Sequence, residues 1–232
     1  MKFQLSNSDL KNIDEIKDSD KLFAILVNIM KKLRSPEGCV WDREQNHKPL
    51  KRNLIEETYE AVESIDNNDF SGLKEELGDL LLQIVFHSQI ADDNKKFNIK
   101  GVLRGIIKKL IRRHPHVFEG LNLNSSDEIL ANWEEIKRQE RKSKCKKPDS
   151  IFSGIPKSLP SLHFAYEVQN RASRLGFDWD DAVDIFNKMK EELNELKKEI
   201  KEGKKDRLLN EIGDMLFTIV NFGRHIGIDC EE

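Results

Sequence analysis

A chain of 232 residues can bury one or two hydrophobic cores. Its formal charge of -3 lacks the basic excess of a non-specific nucleic-acid binder. Three widely spaced cysteines, Cys39, Cys145 and Cys230, form neither a disulfide framework nor a zinc-ligand pattern. With no apolar leader and no apolar run near the ~20 residues of a membrane helix, the expected setting is the reducing cytoplasm, away from membranes. Twelve glycines and six prolines against 35% charged residues predict a mostly helical fold.

The elements follow in chain order. Leu22, Phe23, Ile25, Leu26, Ile29, Met30 and Leu33 keep helical spacing and predict a helix over 20–34. Ser35-Pro36-Glu37-Gly38 ends it, and a polar loop carrying Trp41 follows. Helices are expected over 50–66 and 71–92, joined by Asn67-Asn68-Asp69. Another over 99–113 must stop near His114, because Pro115 disfavours helix at the residue before it. Ser125 and Glu128 form a capping-box pattern opening a helix to about 141. Residues 144–160 are basic and hold three prolines, a linker pattern, and further helices are expected at 161–174, 181–202 and 206–226. No strand pattern is present, so the expected class is all-α.

The chain repeats one acidic pattern. Glu57, Glu60, Glu76 and Asp79 recur as Glu192, Glu195, Glu211 and Asp214, each displaced by 135 residues. Gly78 and Gly213, Leu81 and Leu216, and Val85 and Val220 keep the same interval. Such a register indicates two copies of one structural unit. Taken alone, either acidic group reads as a solvated helix face, but a solvated face has no need to hold four positions in register.

On helical wheels, Leu54, Thr58, Ala61, Val62 and Ile65 form one apolar stripe, and Leu73, Leu77, Leu80, Leu81, Ile84 and Val85 another. Glu57 and Glu60 flank the first, and Glu76 and Asp79 flank the second. Two antiparallel helices packed through these stripes bring the carboxylates together. Such a group repels itself unless a cation joins it. All-oxygen ligation suits Mg²⁺, or Mn²⁺, and Mg²⁺ commonly takes its remaining oxygens from phosphates.

Lys108, Lys109, Arg112 and Arg113 crowd the end of the fourth helix. They read either as complements to the helix C-terminus or as a phosphate clamp. Trp41 and Trp179, in Gly38-x-x-Trp41-Asp42 and Gly176-x-x-Trp179-Asp180, precede the acidic helices of both repeats. Each is either a stacking surface for a base or a core residue. No P-loop, dinucleotide fingerprint or serine-nucleophile motif occurs.

The ordered series GCVWDREQ (38–45), LIEETYEAVESI (54–65), EELGDLLLQIVFHSQ (75–89), KLIRRHPHVF (109–118), NWEEIKRQER (132–141), IPKSLPSL (155–162), LGFDW (175–179) and EIGDMLF (211–217) resembles the MazG family of nucleoside triphosphate pyrophosphohydrolases. The resemblance implies helical bundles completed by homodimerisation, and Mg²⁺-dependent hydrolysis of an NTP or dNTP to the monophosphate and pyrophosphate. It casts Glu57, Glu60, Glu76 and Asp79, with Glu192, Glu195, Glu211 and Asp214, as metal ligands. Lys109 and Arg113, with Arg112, become triphosphate contacts, and Trp41 and Trp179 become candidates to meet the base. The implied domains are an N-terminal extension (1–19), a first helical domain (20–143), a linker (144–160) and a second helical domain (161–232). The 135-residue interval places second copies of Lys109 and Arg113 beyond Glu232. The second domain is thus expected to lack its last basic helix, and the first to be the more complete catalytic unit. The rival reading is a non-catalytic helical dimer or nucleotide-binding module that keeps the acidic helices.

Overall fold

The computed structural model describes residues 13–123, 125–144, 150–203 and 205–231. Among them every regular element is helical. After a short 3₁₀ turn at Ile13–Glu15 come α1 (Ser19–Leu33), α2 (Val40–Glu44), α3 (His47–Asp66), α4 (Phe70–Asp93), α5 (Ile99–Arg113), α6 (Pro115–Phe118), α7 (Ser126–Lys144), α8 (Ser161–Ser173), α9 (Ala182–Glu202) and α10 (Lys205–His225). The chain divides into two compact units between Ile129 and Leu130, a division that falls within α7.

The stretch before α3 differs from its expected loop character. Val40–Glu44 forms a short helix, and α3 starts at His47 rather than near Leu50. Asn46 accepts a hydrogen bond from the Lys48 N–H and caps α3. Pro49 then falls in the first turn, where its missing N–H has no partner to lose. The helix over 99–113 ends at Arg113, and Pro115 opens α6 at its first position. The Ser125 hydroxyl accepts from the Glu128 N–H, as the capping pattern requires. Most of the linker's basic run, 145–149, and most of the N-terminal extension, 1–12, lie outside the described residues.

In the first unit α3 and α4 form a hairpin, α1 packs on α4, and α5 meets α4 and α6. The hairpin turns at Asn67–Asn68–Asp69: Asn68 adopts a left-handed conformation with φ 54°, and Asp69 Oδ1 accepts from the N–H groups of Ser71 and Gly72. Met30, Leu50, Val85, Phe86 and Ile90 make the core, with Phe23, Leu26, Val27 and Leu82 packed around them. Each such fully buried side chain contributes about 1.5–3 kcal/mol of hydrophobic free energy.

In the second unit α9 and α10 form the matching hairpin, with α8 packed on α10. Gly203 ends α9 in the left-handed region at φ 71°, its N–H bonded to the Glu199 carbonyl. Ile185 and Val220 are fully buried. The predicted stripes of α3 and α4 are only partly covered within the chain, for Val62, Ile65, Leu77, Leu81 and Ile84 remain exposed.

Candidate functional site

The α3/α4 hairpin gathers Glu57, Glu76 and Asp79, each half-buried, and the α9/α10 hairpin gathers Glu192, Glu211 and Asp214. Within each trio one oxygen per carboxylate lies within 4.8 Å of the others. The helical spacing Glu-x-x-Asp puts the last two acids of each trio on one face, and the hairpin supplies the first from the neighbouring helix. Glu60 and Glu195 stand just outside these trios. Glu60 hydrogen-bonds Glu57, and the charge of Glu195 bears on Glu211.

Crowding shows in the acid strengths. Partial burial, then the charges of Asp79, Glu60 and Glu76, push the Glu57 carboxyl above its ordinary value. Glu76 is raised by burial and then by Glu60, Asp79 and Glu75. Glu211 is raised by burial and then by Glu195, Asp214, Glu192 and Glu199. Glu192 is 5% exposed, and Glu211 Oε2 is buried without a hydrogen-bond partner. An orphaned, buried carboxylate oxygen facing two further carboxylates fits a hard divalent cation with oxygen ligands.

Beside the second trio lies a cavity of about 760 Å³. Glu192 and Asp214 stand in its wall with Lys188. Phe177, Trp179 and Phe217 give it aromatic surface, and Gln169, Asn221 and Arg224 give it polar groups. Lys188 reaches Glu191 at 2.8 Å and Glu192 at 3.0 Å, and those carboxylates raise its pKa. Arg224 pairs with Asp178 and also donates to Asn221 Oδ1. Partial burial alone would raise the Asp178 carboxyl. The Arg224 hydrogen bond, the Trp179 N–H and the nearby positive charge outweigh it and hold the group low.

Trp179 meets this cavity and is 39% exposed, whereas Trp41 is 57% exposed on α2, so neither indole is a buried core residue. Lys108, Lys109 and Arg112 are exposed and Arg113 is half-buried, all on α5, which packs against α4 and α6. Lys188, Arg224, Asp178 and Gln169 escaped the sequence reading. Lys188 left a legible signal, since it stands one helical turn before Glu192 on the acidic face, and Asp178 lies within LGFDW.

The sequence profile of the MazG nucleotide pyrophosphohydrolase domain matches residues 45–118 and 181–232, segments that hold all eight repeated acids. The chain belongs to the MazG family. The MazG protein of Thermotoga maritima, named nucleoside triphosphate pyrophosphohydrolase/pyrophosphatase, is 48% identical over 218 residues, covering 94% of this chain and 81% of that protein. The nucleoside triphosphate pyrophosphohydrolase of Escherichia coli K12 is 42% identical over 209 residues, covering 89% and 79%. The uncharacterized protein YabN of Bacillus subtilis is 41% identical over 232 residues, and this chain matches 47% of it. The MazG profile takes in the cavity wall from α9 and α10 but not that from α8, Phe177 or Trp179.

Proposed function

We propose that this protein hydrolyses nucleoside triphosphates, ribo- and deoxyribo-, to the monophosphate and pyrophosphate with a divalent ion, Mg²⁺ or Mn²⁺. The observation that carries the reading is the pair of carboxylate trios, each with its oxygens within 4.8 Å, on the hairpins of a MazG-family chain. The names of the Thermotoga maritima and Escherichia coli relatives support the same chemistry.

Glu57, Glu76 and Asp79 in one repeat, and Glu192, Glu211 and Asp214 in the other, would hold the ion. When bound, it supplies Lewis acidity toward phosphate oxygens and draws the triphosphate to the carboxylates. Glu60 and Glu195, one turn along α3 and α9, complete each acidic set. A carboxylate there can accept the proton of the water that attacks the α-phosphorus. The α–β phosphoanhydride bond breaks, and pyrophosphate leaves with the electron pair. Lys188 in the second repeat, and Lys109, Arg112 and Arg113 in the first, offset the negative charge that builds on it.

The exposed apolar stripe of α3 and α4, including Val62, Leu77, Leu81 and Ile84, supports a homodimer that covers it. Among the described residues no helix is long and apolar enough to cross a membrane. Cys39 and Cys230 are free thiols, which suits a cytoplasmic role in clearing the nucleotide pool.

The test is pyrophosphate release from a panel of NTPs and dNTPs, with Mg²⁺ and with EDTA, in wild type, Glu57→Ala and Glu192→Ala. Metal-dependent release lost in one or both variants supports the reading. A folded, metal-loaded wild type that releases none from any nucleotide overturns it in favour of a binding module.

A further inference from the structure

Trp179 stands in the wall of the cavity beside the second trio, yet the turn between α8 and α9 carries it, outside both hairpin helices. The end of α10 holds its peptide from two sides. Asp178 Oδ1 accepts from the Trp179 N–H at 2.9 Å and from Arg224. His225, the next residue on α10, sets its Nε2 3.2 Å from the Trp179 carbonyl oxygen. Arg224 is itself aimed, for its Nε and Nη2 also donate to Asn221 Oδ1 at 3.2 and 2.8 Å. Its side chain is 10% exposed, which spares the bridge much of the screening that weakens surface pairs.

The first repeat is built differently at these places. The 135-residue interval sets Gln89 opposite Arg224 and Ile90 opposite His225, and Val40 precedes Trp41 where Asp178 precedes Trp179. A sheltered bridge exists there too, with its charges reversed. The cation, Arg34, comes from the end of α1, and the carboxylate, Asp93, from the end of α4, 2.7 Å away. Arg34 also reaches the Asp42 and Gln45 carbonyls. The Trp41 carbonyl accepts from the Gln45 side chain at 3.1 Å. That bond stays at α2, whereas the one on the Trp179 carbonyl comes from the hairpin.

The same α10 carries Glu211 and Asp214. Asp214 and Arg224 are ten residues apart, since 224−214 = 10, or about 15 Å along a helix. A helix keeps that length, so the bridge holds the indole at a set distance from the carboxylates. The turn alone would not, because it contains Gly176 at φ 81°, the residue type with the widest backbone freedom.

We infer that Arg224, through Asp178 and together with His225, is the positioning residue of the second site: it locks the Trp179 turn to α10, so that the aromatic wall and the acidic trio meet a nucleotide as one rigid piece. The inference rests on the reading of the protein as a nucleotide hydrolase. Preorganisation of this kind lowers the cost of ordering the wall when the substrate arrives.

The experiment loosens the turn and reads it directly. Isotope-labelled tryptophan gives an amide signal for Trp179, identified by its loss in Trp179→Phe. Arg224→Gln, Arg224→Lys and Asp178→Ala are compared with wild type by amide hydrogen exchange. The same proteins are titrated calorimetrically with the four non-hydrolysable α,β-methylene ribonucleoside triphosphates in Mn²⁺, and with Mn²⁺ alone. In Arg224→Gln and Asp178→Ala the Trp179 amide is expected to exchange at least ~10-fold faster, and nucleotide to bind at least ~10-fold more weakly. Mn²⁺ binding should be unchanged, and Arg224→Lys should lie between wild type and Arg224→Gln. Circular dichroism reports folding, and if one of the two stronger variants does not fold, the other decides. Unchanged exchange overturns the inference, because weaker binding alone would make Arg224 a direct substrate contact. Faster exchange with wild-type nucleotide affinity also overturns it, because the bridge would then serve stability alone. Pyrophosphate release separates the two readings. A wild type that releases none, in a series where exchange and nucleotide binding shift together, removes the hydrolase and keeps the positioning. Undiminished release with unchanged exchange removes the positioning and keeps the hydrolase.

Discussion

Lys188 sets its ammonium 3.0 Å from a carboxylate oxygen of Glu192, inside the second acidic group. Asn53 occupies the position 135 residues earlier, so the first group has no such internal cation from its own helix. Lys188 therefore competes with a divalent ion for Glu192 and neutralises part of the trio's charge in its absence. In Lys188→Met, the second trio is expected to bind Mn²⁺ severalfold more tightly while pyrophosphate release falls, because the same cation no longer faces the leaving group. Mn²⁺ titration and a turnover assay on the same preparation check both halves. Weaker Mn²⁺ binding would show that Lys188 organises the trio rather than competing for it.

The raised carboxyls make stability fall with pH when no ion is present. Glu57, Glu76 and Glu211 hold protons more tightly folded than unfolded. Their favourable contribution is complete below the ordinary value of 4.5 and is lost as pH rises through their elevated folded values. In EDTA the melting temperature should therefore carry a negative slope from these groups above about pH 4.5. Mg²⁺ should raise it more at pH 7 than at pH 5. Thermal melts across that range check it, and the Glu57→Gln/Glu211→Gln double variant should flatten the slope.

His87 carries the opposite sign. Its ring stacks on His47 with centroids 5.1 Å apart and Nδ1 atoms 2.8 Å apart, and its Nε2 is buried without a hydrogen-bond partner. Burial first, and the charge of His47 second, lower its pKa below 6.5. The contribution of neutral His87 is present above 6.5 and lost as pH falls below it, because the unfolded ring takes a proton more readily. Phe222 stands at this place in the second repeat. His87→Phe should remove the part of acid destabilisation that develops just below pH 6.5, as read from denaturant midpoints.

Gly38 permits the turn that carries Trp41. A Cβ there would sit 2.2 Å from the carbonyl oxygens of both Lys32 and Leu33, and backbone at a helix end cannot yield that far without unwinding. Gly38→Ala should cost about 1–3 kcal/mol of stability, whereas Gly203→Ala, strained only by its left-handed backbone, should cost ~1 kcal/mol. Urea titration separates the two.

Most of the helical frame was legible because its signals are local. Apolar spacing, the Asn67–Asp69 turn, the Ser125 cap and the Pro115 stop each act within a few residues, and the elements they predict agree with those observed to within a few positions. The start of α3 at His47 was missed for a local reason too: a proline in the first helical turn resembles a breaker unless the cap before it is weighed. The convergence of Glu57 with Glu76 and Asp79 was legible because the repeat exposed it. The cavity was not. It depends on α8 facing α10, a contact that no periodicity encodes, and on the small volume of Asn221, which has meaning only beside Phe86 of the first repeat. Asp178 and Arg224 are 46 residues apart, and although Asp178 lies in LGFDW, nothing local pairs it with Arg224.

The hollow in the second unit has a consequence for the lifetime of the protein. Lining atoms around an open space forgo contacts that a filled interior would supply, so without ligand the second unit should open before the first. A ligand that filled that space would act as a core residue that the gene does not encode. Local opening there, and with it cleavage by proteases that attack opened segments, would decline as the concentration of such a ligand rises.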